Sequence, residues 1–237
     1  MSFTTWTPPA VSSEAFAWEG HAWRMVESQH LAATMKLVDS REEQDLLEAL
    51  LESSKPMPPA ETAGLDYLLA TPFRYDPKRG GSRFRGVMDP GVFYGAESVR
   101  TAGAELGYGR WKFLRDAVDL ERLEPVAHTA FNVAVATPVI DLQRPPFDRD
   151  SARWQHPSDY AATQQLARAA REAKLGGIFY RSVRDPTRSW CLALLTPSGF
   201  AQPRPQGERQ TWYLAVSLQG VTLRGDRESM QFSAEGW

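Results

Sequence analysis

The chain of 237 residues is 42% hydrophobic and carries 27 basic against 29 acidic side chains, a formal net charge of −2. That apolar content supports a real core and excludes general disorder, while the near-balance of charge argues against a dedicated nucleic-acid or membrane-surface binder. The lone cysteine, Cys191, has no intramolecular partner, and no window approaches the roughly 18 apolar residues of a spanning helix, so a soluble, cytoplasmic protein is expected.

The first twenty residues, with Pro8, Pro9 and scattered aromatics, read as an arm lying on the body. AWRMV predicts a short strand. Ser40 and Glu43 fit a capping box, and Leu46, Leu47, Leu50 and Leu51 form one apolar stripe, which predicts an amphipathic helix ending at SKPMPP. VFYG predicts a strand, ESVRTAGAELGYGRW a helix and KFLRDAVDLERL a second helix. HTAFNVAVATPVIDL gives one or two strands and QRPPFDRDSARWQHP a polar loop. SDYAATQQLARAAREAKLGG predicts a helix with Ser158 at its N-cap and a Gly-Gly stop.

IFYRSV, WCLALL, TWYLAVSL and VTLRG follow as strands, the last two joined in a hairpin at Gln219 and Gly220. Strands at both ends and helices in the middle predict an α+β fold with a mostly antiparallel sheet. No linker separates two cores, so residues 1–237 read as one domain, with residues 205–237 a C-terminal hairpin extension.

Phosphate-loop, dinucleotide-fingerprint and nucleophile-elbow patterns are absent, and so is any Cys or His pair at metal spacing; no metal is expected. His21, His30, His128 and His156 are dispersed and read as solvent-facing or hydrogen-bonded side chains.

What remains is the stretch GSRFRGVMDPGVFYGAESVRTAGAE, Gly81 to Glu105. Arg83 and Arg85 precede a turn at Asp89-Pro90-Gly91, and a guanidinium fork beside a turn suits a pyrophosphate. Tyr94 ends the apolar run of VFYG and offers a ring to a flat cationic heterocycle. Glu105 sits among Ala102, Gly103, Ala104 and Gly107, which leave room for another group to approach. A carboxylate there suits a ribose hydroxyl and the positive charge that develops as a glycosidic bond breaks. Plainer readings stand beside each: Glu105 on a solvated helix face, Arg83 paired with Asp89, Tyr94 in the core, Ser182 as a strand-end hydrogen-bonder.

These residues in this order resemble the RES-domain family, toxins of toxin–antitoxin pairs named for an Arg, a Glu and a Ser. The resemblance matches Arg24 in AWRMV, Arg83 in GSRF, Tyr94 in VFYG and Glu105 on the next helix. Ser182 lies in GGIFYRSVR, and Tyr160 and Gln164 fit the helix before it. It covers about residues 20–200. The longer insert between Arg24 and Arg83 departs from a compact family member.

The resemblance implies an ADP-ribosyltransferase-like split sheet around an NAD+ cleft. It also implies consumption of NAD+ by cleavage of the nicotinamide–ribose bond, with water or phosphate as acceptor. The alternatives are transfer of ADP-ribose onto a protein, or NAD binding without turnover. Arg24 and Arg83 would bind the phosphates and ribose side, Tyr94 would stack on nicotinamide, Glu105 would hold the nicotinamide ribose, and Ser182 would orient nicotinamide or ribose. The implied partner is an Xre-like helix-turn-helix antitoxin covering the site.

Overall fold

The computed structural model describes residues 6–28, 38–75 and 81–237; His30 falls outside them. Helices α1 (Pro8–Ser12), α2 (Arg41–Ser53), α3 (Tyr67–Arg74), α4 (Val99–Asp116), α5 (Ser151–Trp154) and α6 (Ala161–Glu172) flank one sheet. Its eight strands are β1 (Phe16–Glu27), β2 (Phe93–Ala96), β3 (Arg122–Asp141), β4 (Gly177–Arg181), β5 (Trp190–Leu194), β6 (Gln206–Ser217), β7 (Gly220–Arg224) and β8 (Ser229–Ser233). The expected α+β class and antiparallel character hold, since β3 with β4 is the one parallel pair among the described strands.

The strand order is β1-β2-β5-β4-β3-β6-β7-β8, and β1 also pairs with β3 along its whole length. Strands β1, β2, β5, β4 and β3 therefore close into a ring. Period-two alternation divides their side chains between two cores. Ala22, Phe93, Phe131, Val133, Phe179, Leu192 and Leu194 pack with Leu68, Leu69 and Phe73 of α3. Met25, Ile178, Tyr180, Cys191 and Ala193 pack on the other side with α4 and α6. The seam between β1 and β2 holds only one pair, Trp23 with Ala96, and this weak closure positions the site.

Several elements differ from expectation. The arm is shorter than twenty residues: β1 begins at Phe16, and Trp6 is buried against Phe147 with its indole N–H donating to Asp150 at 2.9 Å. Helix α2 forms, with Ser40 capping the Glu43 amide, yet no residue in it is buried and Leu46 and Leu50 are 61% and 58% exposed. The two helices expected over 97–123 are one. Gly103 and Gly107 let α4 run unbroken against β7, because a Cβ at either would stand 2.6 or 2.7 Å from Leu223 or Val221. The chain leaves the helix after Asp116, and Arg122 already pairs with Ser217, so long-range pairing claims the second helix's end.

All of HTAFNVAVATPVIDL but its last residue, Leu142, lies within the single long strand β3. The polar loop 143–157 contains a 3-10 turn, Phe147–Asp150, and the short helix α5, with Phe147 and Trp154 buried. Ser158 is not the N-cap of α6. The His156 ring accepts from the Ser158 and Asp159 amides, and the Asp159 carboxylate receives the Ala161 amide instead. That helix ends through Lys174 at φ 58°, two residues before the glycine pair. The hairpin turn between β6 and β7 is Leu218-Gln219, with Ser217 paired to Gly220, and β8 extends it by an unexpected strand.

Candidate functional site

Four strands and one helix build the site. On the helix-facing side of the ring, alternation presents Trp23 of β1, Tyr94 of β2, Tyr180 of β4 and Cys191 of β5 to Glu105 of α4. Together with Ser82, Arg83, Tyr108, Lys112, Tyr160 and Arg184 they enclose a cavity of about 470 Å³, within the range of small-ligand sites. Its charged walls carry four cations, Arg24, Arg83, Lys112 and Arg184, against the single acid Glu105.

Glu105 is the centre of this arrangement. Its Oε1 accepts a 2.6 Å hydrogen bond from Ser182 Oγ. Ser182 Oγ itself accepts from the amides of Arg184 (3.2 Å) and Asp185 (3.0 Å), so its one proton is committed to the carboxylate. Burial pushes the Glu105 carboxyl above its usual range, while the Ser182 hydroxyl and the Arg83 and Arg184 cations pull it back down. Ser182 thus stands behind Glu105 rather than on the cavity wall.

Arg83 is 7% exposed and does not pair with Asp89. One of its amino groups donates to the carbonyls of Trp154 (2.8 Å) and His156 (3.0 Å), and the guanidinium lies 4.7 Å from the centre of the Tyr160 ring. Asp89 instead pairs with Arg168 at 2.9 Å. Arg85 donates to the Asp89 carbonyl and does not line the cavity. From α6, Thr163 donates to the Arg83 carbonyl and Gln164 to the Ser82 and Arg85 carbonyls, which fixes the arginine-bearing turn. The Tyr94 hydroxyl meets Ser82 Oγ at 2.7 Å and accepts from the Phe84 amide, tying β2 to the same turn.

Arg24 is one residue out of phase with this face. Its guanidinium lies over Phe93, which belongs to the opposite core, and reaches the β1–β2 seam to donate to the Tyr94 carbonyl at 2.9 Å. Its Nε has no partner, and burial pulls its pKa down to about 10, still protonated at neutral pH. It borders this cavity on one side and a second, of about 330 Å³, on the other.

The sequence pattern left several lining residues without a role. Arg184, 4% exposed, holds its guanidinium 3.4 Å from the centre of the Tyr108 ring and donates to the Pro157 carbonyl. It stands two positions after Ser182 in GGIFYRSVR, which was the available signal. Tyr180 and Cys191 have their hydroxyl and thiol pushed well above the ordinary range by burial, so both face the cavity neutral. The described histidines take no part: the His21 ring meets Asn132, the His128 ring meets the Val126 carbonyl, and His156 caps a loop. Among the described residues no group of His, Cys, Asp and Glu could hold a metal, and no helix is long and apolar enough to cross a membrane.

The family model of the RES domain matches residues 58–217. The chain belongs to the RES-domain family. Arg83, Tyr94, Glu105 and Ser182 fall inside the matched span, whereas Arg24 precedes it and residues 218–237 follow it. No curated protein matches the sequence. Among solved structures, the RES-domain chain is similar to one from the crystal structure of the M. tuberculosis MbcT–MbcA toxin–antitoxin complex. The identity is 12% and the TM-score 0.45, over 92% of this chain and 87% of that one.

Proposed function

We propose that this RES-domain chain, read as one domain over residues 1–237, is the toxin of a toxin–antitoxin pair and consumes NAD+ by cleaving its nicotinamide–ribose bond. The observation that carries the reading is Glu105: a carboxylate hydrogen-bonded by Ser182, in a cavity whose other charged walls are all cationic. A dinucleotide with an anionic diphosphate beside a cationic ring needs that pairing of cations with one acid.

On this reading Arg83, Arg184 and the Arg24 guanidinium at the seam serve the diphosphate and ribose side, and Tyr94 stacks on nicotinamide. The carboxylate of Glu105 holds the nicotinamide ribose and opposes the positive charge that grows at its anomeric carbon. The glycosidic C–N bond breaks with its electron pair going to the ring nitrogen, so nicotinamide leaves neutral. Water or phosphate then bonds to the anomeric carbon and gives its proton to solvent. Ser182, placed behind Glu105, acts by orienting that carboxylate. The partner is an Xre-like helix-turn-helix antitoxin covering the cavity, in the cytoplasm.

The test is NAD+ concentration over time with purified protein, with and without phosphate, beside Glu105→Gln. Loss that requires Glu105 supports glycosidic cleavage, and dependence on phosphate identifies the acceptor. Intact NAD+ in both buffers removes the glycohydrolase and phosphorylase readings; labelled NAD+ in lysate then separates ADP-ribose transfer onto a protein from binding without turnover.

A further inference from the structure

We infer that the segment following the family match, residues 218–237, is a working support behind the cavity wall, in which Trp237 is a positioning residue for the wall residue Arg184. This deepens the NAD+ reading and rests on it. The family span ends at 217, yet β7, β8 and the 3-10 turn Ala234–Gly236 continue the sheet past α4 and bring Trp237 to the loop after Ser182.

The hold on that loop is double. The Trp237 indole N–H donates to the Arg184 carbonyl at 3.1 Å. Its ring meets Tyr108 edge-on, with centroids 5.8 Å apart and planes at 88°, and packs on Trp111 at 5.7 Å. Tyr108 is the ring on which the Arg184 guanidinium lies. Trp237 therefore fixes both ends of Arg184, its backbone directly and its cation through Tyr108. Upstream in the same segment Phe232 lies under the Arg100 guanidinium at 4.8 Å, and Arg100 pairs with Asp185 at 3.4 Å, in the same loop. An arginine side chain is flexible, and its planar fork is useful to an anion only when it is held in place. Arg184 is held by two separate elements, the Pro157 carbonyl of the loop before α6 and the aromatic stack on α4.

The test compares Trp237→Ala, Arg184→Lys and the double variant, with KM and kcat for NAD+ loss and Tm measured together. If the parent binds NAD+ without consuming it, the dissociation constant replaces KM. Trp237→Ala is expected to raise KM about tenfold with kcat within about twofold, the signature of lost ligand binding rather than lost chemistry. Because Trp237 acts through Arg184, the double variant should be no worse than the poorer single. Trp237→Phe keeps a ring edge on Tyr108 and should recover much of the affinity. If Trp237→Ala does not fold, Trp237→Leu, which fills the space without N–H or ring, carries the same expectation. A folded variant with parental KM, or effects that add fully to those of Arg184→Lys, would overturn the inference and leave the NAD+ reading standing. A parent that neither consumes NAD+ nor gains Tm from it would sink both.

Discussion

Replacing Glu105 by Gln keeps the shape of the side chain and an oxygen to accept from Ser182, while removing the one negative charge in a cavity otherwise lined by cations. Activity and stability should then move in opposite directions. For activity, the proposed mechanism has the lost carboxylate facing the charge that develops at the anomeric carbon, and removal of one such preorganised interaction costs about 10²–10³ in kcat, or about 2.7–4 kcal/mol. For stability, burial raises the folded-state pKa of Glu105 above its unfolded value. The protonated form is therefore the one the fold prefers: its contribution is fully present below the unfolded pKa and is lost as pH rises through the folded one. Above the folded pKa the ionised carboxylate is a liability, and Gln removes it. A gain of even 1 kcal/mol corresponds to roughly 2–4 °C for a chain of this size. The assay is kcat for NAD+ loss beside a thermal melt of the same preparation. A variant with parental kcat refutes the catalytic role, and a variant that melts lower refutes the buried-charge argument.

Ser182→Ala removes the donor to ionised Glu105 and the acceptor of two buried amides. It should lose about 1–3 kcal/mol of stability. Its acid limb in a pH–rate profile should also move to higher pH, because the charged form of Glu105 loses a stabilising bond. Gly109 lines the cavity, and a Cβ added there would meet nothing within 4 Å, so Gly109→Leu should abolish NAD+-induced stabilisation in a melt while leaving the apo Tm unchanged or higher. Arg83→Lys gives up the planar guanidinium, of which one amino group is held by the Trp154 and His156 carbonyls and the rest is free to fork onto an anion. It should raise KM for NAD+ more than it lowers kcat in steady-state kinetics.

Local pattern carried much of this fold. The alternation in VFYG, IFYRSV and WCLALL places Tyr94, Tyr180 and Cys191 on one face, and the same period-two rule shows why Arg24 is different. AWRMV sends Trp23 and Met25 to the site face and Arg24 to the other, and only the loose β1–β2 seam lets the guanidinium reach through. What sequence could not carry was set by distant partners. Gly107 looks like a helix breaker until Val221 is found packed against it, 114 positions away. Arg83 looks like a surface cation until a loop about 70 residues on supplies two carbonyls to bury it. The leucines of α2 present the converse case: a correct helix whose apolar stripe meets no core among the described residues.

The protonation states of the cavity wall bear on how such a site would work. Tyr180 and Cys191 are held neutral by burial, and among the described histidines none lines the wall. For a reaction that required protonation of its leaving group, that would be a poor set of side chains. Nicotinamide, however, leaves a cationic ring as a neutral molecule and needs no proton. The demand then falls on holding one carboxylate charged in a place that disfavours charge. Ser182, with its proton directed by two amides, together with Arg83 and Arg184, meets that demand from three sides. On this reading catalysis lies in where Glu105 is kept and in what keeps it ionised, which is why substitutions at Ser182 and at Glu105 should differ: the first shifts the pH at which the enzyme works, the second lowers the activity at every pH.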